Sequence, residues 1–275
     1  MEIKVIKNKI ISWSKKLLNK QIVTAFAVGV TIMFGYTYIQ TSHEKNPCFG
    51  KNVGIVKLTG EINTAKDPQY LSVSAPETIQ QIEEMDANPD IKAIVLIISS
   101  PGGVMEASER IMLAVRGTTK PVVAVINDIG TSGAYLIASA SERIFASRLS
   151  ETGSIGVTRD FLDTSEKDKR EGVELYDFSS GIYKGAEKEH SKLTKAQYDV
   201  IMDNVMKMHN IFIEYIAKNR NMPIEKVKEL ATGRVFVGDD ALKLGLVDQI
   251  GGMNEAKDWL RDKIGEDVNS CTVGE

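Results

Sequence analysis

Two short apolar runs, each ending in a tight small-residue turn, constrain the fold of this chain more than any other feature. Pro121-Val122-Val123-Ala124-Val125-Ile126 is β-branched and apolar, which predicts a buried strand. It leads through Asn127-Asp128-Ile129-Gly130-Thr131 into Ser132, and then into Leu136-Ile137-Ala138-Ser139-Ala140, which predicts a small-residue helix. An earlier run at residues 91–98 ends in Ser99-Ser100-Pro101-Gly102-Gly103 and precedes a helical segment at 104–116. A third strand is expected at 143–146. Strands alternating with helices predict an α/β fold with a parallel sheet and crossover helices. In such folds the substrate site lies beyond the carboxyl ends of the strands, where Gly102, Gly103 and Ser132 fall.

Those positions suit acyl-transfer chemistry. A serine at a strand-to-helix turn presents its hydroxyl beside the free N–H groups of a helix start, where developing negative charge is stabilised. The Gly102-Gly103 pair lets the backbone approach a substrate closely and aim amides at it. A serine hydroxyl still needs a base, and histidine is the usual one. The chain has three. His43 follows an apolar segment outside the domain, His190 lies in the charged run Glu187-Lys188-Glu189-His190, and His209 sits inside a long amphipathic helix. Lysine is the alternative, because burial disfavours the ammonium form.

Six motifs then occur in order. Ser100-Pro101-Gly102-Gly103 follows the strand at 91–98. Thr131-Ser132-Gly133-Ala134-Tyr135, Thr152-Gly153-Ser154-Ile155-Gly156-Val157 and Gly181-Ile182-Tyr183-Lys184 come next. Gly233-Arg234-Val235-Phe236-Val237-Gly238 and Gly245-Leu246-Val247-Asp248 close the series. Over residues 53–265 the chain resembles the signal peptide peptidase A family of serine–lysine membrane peptidases, which is similar in fold to Clp protease and crotonase. The resemblance implies Ser132 as nucleophile and Lys184, 52 residues downstream, as general base. It implies that Ser154 orients the lysine, and that Gly102 or Gly103 and Gly133 supply the oxyanion hole. It also implies oligomers whose active sites combine neighbouring subunits, and no cofactor. Two departures stand out. Ala134 replaces a glycine common in the family, and Gly185-Ala186-Glu187-Lys188-Glu189-His190 is unusually charged.

The net charge of −3 points to no nucleic-acid partner. The local imbalance is more informative. Six lysines (Lys4, Lys7, Lys9, Lys15, Lys16, Lys20) precede residues 21–42, which carry no charge and whose apolar centre, the 18 residues 22–39, approaches the roughly 20 that cross a bilayer. Tyr36 and Tyr38 lie near its far end, where aromatic rings favour the interface. No small-residue cleavage site follows, so an uncleaved membrane anchor is expected. Positive charge then keeps residues 1–20 in the cytoplasm and the rest across the membrane. The expected division is a basic segment 1–20, an anchor 21–42, a linker 43–52, a peptidase domain 53–265 and a tail 266–275. Cys48 and Cys271 flank the domain and could pair outside the cytoplasm. No Cys/His cluster suggests a metal, and no G-x-G-x-x-G or phosphate loop suggests a nucleotide.

Further elements are a first strand at 53–58 and an exposed loop at 59–70. A capping box at Ser74-Ala75-Pro76-Glu77 should open a helix reaching about Ala87. A surface helix is expected at 160–172 and a strand at 173–178. A helix over 194–219 opens on a Thr194–Gln197 capping box and carries a stripe of Ile201, Val205, Met208, Phe212, Tyr215 and Ile216 that suits a core or a subunit contact. The functional expectation is a membrane-anchored serine endopeptidase acting on signal-peptide remnants or other membrane-derived hydrophobic peptides. Two alternatives are an inert membrane-tethered scaffold of the same fold and a crotonase-type acyl-CoA enzyme.

Overall fold

The structure is a computed structural model that describes residues 48–66, 69–188, 190 and 192–272, together with Thr31 and Met33. The expected basic segment and most of the anchor and linker lie outside the described residues. Among the described residues no helix is long and apolar enough to cross a membrane. Residues 1–50 and 51–275 form two separate compact units, and the second carries every strand and helix named below. Both cysteines are disulfide-bonded.

The strands are β1 (Val53–Thr59), β2 (Glu61–Asn63), β3 (Ser72–Ser74), β4 (Ala93–Ser100), β5 (Val122–Thr131), β6 (Arg143–Ala146), β7 (Glu151–Gly153), β8 (Val235–Val237), β9 (Gln249–Ile250) and β10 (Ser270–Thr272). The main sheet runs β10-β1-β4-β5-β6-β9, parallel throughout. The architecture is therefore mixed α/β around a parallel sheet, as the strand–helix alternation predicts. Residues 270–272, placed in the expected tail, supply the sheet's edge strand beside β1.

The helices are α1 (Ala75–Ala87), α2 (Met105–Gly117), α3 (Gly133–Ser139), α4 (Ser165–Glu171), α5 (Lys195–Asn219), α6 (Ile224–Leu230), α7 (Gly238–Leu244) and α8 (Met253–Ile264). Central strands are apolar on both faces because helices cover both. On one face Val53, Val95, Val123, Val125 and Phe145 pack with Ala256 and Leu260 of α8. On the other, Gly54 lies so close to α1 that a Cβ there would meet the Met85 Sδ at 2.3 Å.

Several expectations need correction. The strand expected at 121–126 continues to Thr131, because its far half changes partner. Val123–Ile126 pair with β6, whereas Ile129–Thr131 pair with β7. Ser74 caps α1 without a side-chain hydrogen bond, so the expected capping box is absent there. No strand forms at 173–178, where every residue is exposed. The surface helix shrinks to Ser165–Glu171. On α5 only Phe212, Ile213 and Ile216 are buried; the rest of the stripe is partly exposed.

Candidate active site

The partner change in β5 builds the site. Pairing with β7 sets Thr131 opposite Gly153, and the Ser132 amide donates to the Gly153 carbonyl at 2.8 Å. Ser132 and Ser154, each one residue past its strand, are thereby placed side by side, both half-buried. Ser132 has φ 54 and ψ −124, and Ser154 has φ 48. Non-glycine residues rarely occupy that region, and a nucleophile on a sharp strand-to-helix turn is one setting where the strain is retained. Ser154 is held by its amide, which donates to the Arg234 carbonyl at 2.8 Å. The Gly233–Gly238 motif thus acts through β8, which runs antiparallel to β7.

The glycine turn after β4 docks against this junction. The Thr131 hydroxyl donates to the Pro101 carbonyl at 3.1 Å and ties the two turns together. Gly102 has φ +99, and a Cβ there would lie 2.7 Å from the Gly133 nitrogen and 2.9 Å from the Ser132 Cβ. Only glycine allows that approach. The Gly102 amide itself is committed to the buried Ser100 hydroxyl at 3.1 Å, and its carbonyl accepts from the Ile62 amide at 2.8 Å. The amides of Gly103 and Gly133 donate to no group among the described residues, and the Gly103 nitrogen lies 3.6 Å from where a Gly133 Cβ would sit. Gly103 leads into α2 and Gly133 opens α3, so two helix N-termini converge on Ser132. Amides and dipoles arranged this way stabilise an anion formed beside the hydroxyl.

Sequence reasoning missed the supports of this arrangement. Ser108 is fully buried on α2, and its hydroxyl lies 2.2 Å from the place of a Gly133 Cβ. It bonds its own helix at the Val104 carbonyl, and its only sequence signal is a serine within an apolar helix face. Tyr135 is fully buried and donates to the Leu246 carbonyl at 2.8 Å. Burial pushes its phenol well above the ordinary range. Asp248 accepts from the Ile144 amide and pairs with Arg220 at 2.6 Å. The Gly245–Asp248 motif therefore anchors the back of α3.

Lys184 stands apart. It lies in an exposed turn closed by its own amide donating to the Gly181 carbonyl at 2.9 Å, and it makes no hydrogen bond to Ser132 or Ser154. Ser132, Ser154, Gly102, Gly103 and Gly133 come together; Lys184 does not join them within one chain. The other candidate bases among the described residues make no hydrogen bond to Ser132 either. His190 Nδ1 sits 2.7 Å from Asp168 Oδ2, and His209 is partly exposed on α5. His43 lies outside the described residues. Among the described residues no His, Cys, Asp and Glu cluster could hold a metal. A cleft of about 440 Å³ opens at the Val122 end of β5, away from Ser132, and an apolar cavity of about 170 Å³ lies between α2, α3 and α5.

A strained serine at a strand-to-helix turn, faced by two open amides, is the arrangement of a hydrolase that works through an acyl intermediate. The model of Peptidase family S49 matches residues 114–267, more than half of the sequence, and the chain belongs to that family. It is 33% identical over 211 residues to an Enterococcus faecium protein described as a signal peptide peptidase SppA, covering 76% of this chain and 60% of that one. It is 31% identical over 225 residues to the chloroplastic serine protease SPPA of Arabidopsis thaliana, covering 79% and 33%. Protease 4 of Haemophilus influenzae is 34% identical over 169 residues, covering 60% and 27%. The match thus spans 60% or less of the length of these relatives. Among solved structures, a ClpP1 mutant from Listeria monocytogenes aligns with TM-score 0.49 and 16% identity, covering 73% of this chain and 92% of that one.

Proposed function

We propose that the chain is a membrane-anchored serine endopeptidase in which Ser132 is the nucleophile and Lys184 the general base. The observation that carries the reading is the Ser132 junction: a strained serine flanked by the open amides of Gly103 and Gly133. Membership of Peptidase family S49 supports the same activity. In the proposed mechanism the neutral Lys184 amine takes the Ser132 proton as the hydroxyl attacks a peptide carbonyl. The resulting oxyanion is held by the Gly103 and Gly133 amides, while Gly102 serves by fit. Ser154 orients the amine, and the lysine then gives its proton to the leaving amine. Water repeats the sequence to release the acyl group.

Because Lys184 is exposed and apart from Ser132, the dyad is completed by assembly, with the lysine turn of one subunit meeting the serine of another. Exposed Tyr198, Met202 and Met206 follow at four-residue intervals on α5 and offer the contact surface. The substrates are signal-peptide remnants or other hydrophobic segments, consistent with the apolar cavity beside Leu136, one helical turn past Ser132. Residues 21–42 hold the enzyme to the bilayer, residues 1–20 stay cytoplasmic and the peptidase domain faces the other side. The anchor raises the effective concentration of membrane-derived peptides.

A fluorophosphonate probe on the full-length protein tests the reading. Labelling at Ser132, with casein hydrolysis lost in Ser132→Ala, supports it. An unlabelled Ser132 in the assembled protein favours an inert scaffold.

A further inference from the structure

The Lys184 turn has little to hold it. Ile182 and Tyr183 are 70% and 50% exposed, and the bonds inside the loop are local. Among the described residues, the only side chain of a helix that hydrogen-bonds residues 181–184 is Gln197, whose Nε2 donates to the Ile182 carbonyl at 2.7 Å. The rest of its carboxamide is fixed by the helix start. Gln197 Oε1 accepts from the Thr194 amide at 2.9 Å and from the Thr194 hydroxyl at 3.1 Å, so the NH₂ faces the turn. At the far end of α5 the helix is locked to the domain. Phe212, Ile213 and Ile216 are buried, Asn219 donates to the Ser139 hydroxyl at 2.9 Å, and Arg220 pairs with Asp248. The rise from Gln197 to Asn219, 22 positions on, is about 33 Å of helix. One rigid strut therefore grips the Ser132 helix at one end and the lysine turn at the other.

The geometry points to Gln197 as a positioning residue for Lys184. By holding the Ile182 carbonyl it fixes the direction in which the turn presents the amine, and so where a neighbouring Ser132 finds its base. This rests on the reading of Lys184 as the base.

Cap and positioning separate cleanly. Gln197→Glu keeps an acceptor for the capping box but replaces the donor to Ile182 with a carboxylate oxygen. Gln197→Met removes both functions without adding charge. Thr194→Val removes the hydroxyl cap and leaves the donor to Ile182. The full-length protein in detergent is assayed for casein turnover and for the rate of fluorophosphonate labelling of Ser132 across pH, with Lys184→Arg in parallel. Gln197→Glu and Gln197→Met are expected to lower kcat about tenfold at unchanged KM, and to displace the rise of labelling rate with pH. Thr194→Val keeps kcat within about twofold while lowering Tm. Parental kcat and pH profile in both Gln197 variants, with Lys184→Arg inactive, overturn the role of Gln197 alone. An active Lys184→Arg overturns the base assignment and this inference with it.

Discussion

The strand ends around Ser132 and the segment around Lys184 are held by different forces. At Ser132, glycines sit where a Cβ would strike backbone or Ser108, polar groups are bonded at 2.8–3.1 Å, and the flanking strands and helices are buried. Between residues 159 and 192 the chain is largely exposed and is held by ion pairs. Among these are Arg159–Glu187 at 2.6 Å, Lys188–Asp177 at 2.6 Å, Lys192–Glu166 at 3.0 Å and Lys169–Glu166 at 3.2 Å, and His190 Nδ1 lies in hydrogen-bond range of Asp168 Oδ2 at 2.7 Å. Close packing fixes geometry independently of the solvent, whereas exposed pairs contribute roughly 0–1 kcal/mol each and weaken with salt. The proposed nucleophile is thus held by close packing, whereas the proposed base is carried on an exposed segment held by surface pairs.

The largest effect would come from removing either proposed partner. Ser132→Ala and Lys184→Arg should each lower casein turnover by at least about 10³-fold, although one residue is packed and the other exposed. Arginine keeps the charge but stays protonated at any working pH. If Lys184→Arg retained parental turnover, the exposed segment would carry no chemistry and the contrast would reduce to scaffold and ornament.

Stability should show the opposite asymmetry. The Arg220 side chain is 7% exposed and bonds both Asp248 and the Gly245 carbonyl, so Arg220→Met leaves part-buried acceptors unmatched. A loss of about 3 kcal/mol is expected, at the low end for a buried pair because Asp248 keeps 30% exposure. Arg159→Met, in the exposed segment, should cost under about 1 kcal/mol. Denaturant unfolding of the two variants compares them directly, and equal losses would erase the distinction between the regions.

The two regions also differed in how far the sequence revealed them. The β-branched runs and the Gly102-Gly103 and Ser132 turns mark the strand ends because burial and tight turns restrict residue choice strongly. Thr194–Gln197 is legible as a cap because its spacing is set by helix geometry, and both of its bonds form. The extension of β5 to Thr131 was not legible. It depends on β7, a three-residue strand that becomes available only once the chain has folded. Residues 173–178 have a strand's composition but are all exposed and join no sheet, so local propensity had no tertiary support. The place of Lys184 was hidden for a similar reason: motif order marks the residue, but the exposed turn that carries it has little packing to fix its direction.

Self-association should come next in size. Tyr198, Met202 and Met206 are 54%, 37% and 47% exposed on one face of the unburied part of α5. Met202→Glu places a charge in that stripe and should weaken association about tenfold, read by light scattering in detergent. Turnover should fall in parallel with the assembled fraction, whereas per-subunit folding stability should not change. A parent protein that is monomeric at micromolar concentration would instead require the lysine turn to reach Ser132 of its own chain.

The smallest expected effect is release of the exposed segment by acid or salt. Hydrogen bonds from Lys192, His190 and Lys188 lead the causes that hold Glu166, Asp168 and Asp177 below their ordinary carboxylate values. A depressed carboxylate stabilises the folded arrangement fully above its unfolded pKa of about 4, and the contribution is lost as pH falls through the lower folded value. The segment should therefore be held unchanged from neutral pH to about pH 5 and loosen below about pH 4. Raising salt to about 1 M at neutral pH should loosen it as well, because the Debye length falls to about 3 Å. Limited proteolysis between residues 160 and 192 reads this, at neutral pH with a serine protease across salt and at low pH with an acid protease. Cleavage there is expected to rise a few-fold while residues 122–146 stay protected. If the two regions became cleavable at the same pH and salt, the exposed segment would be bound into the fold as tightly as the strands that carry Ser132.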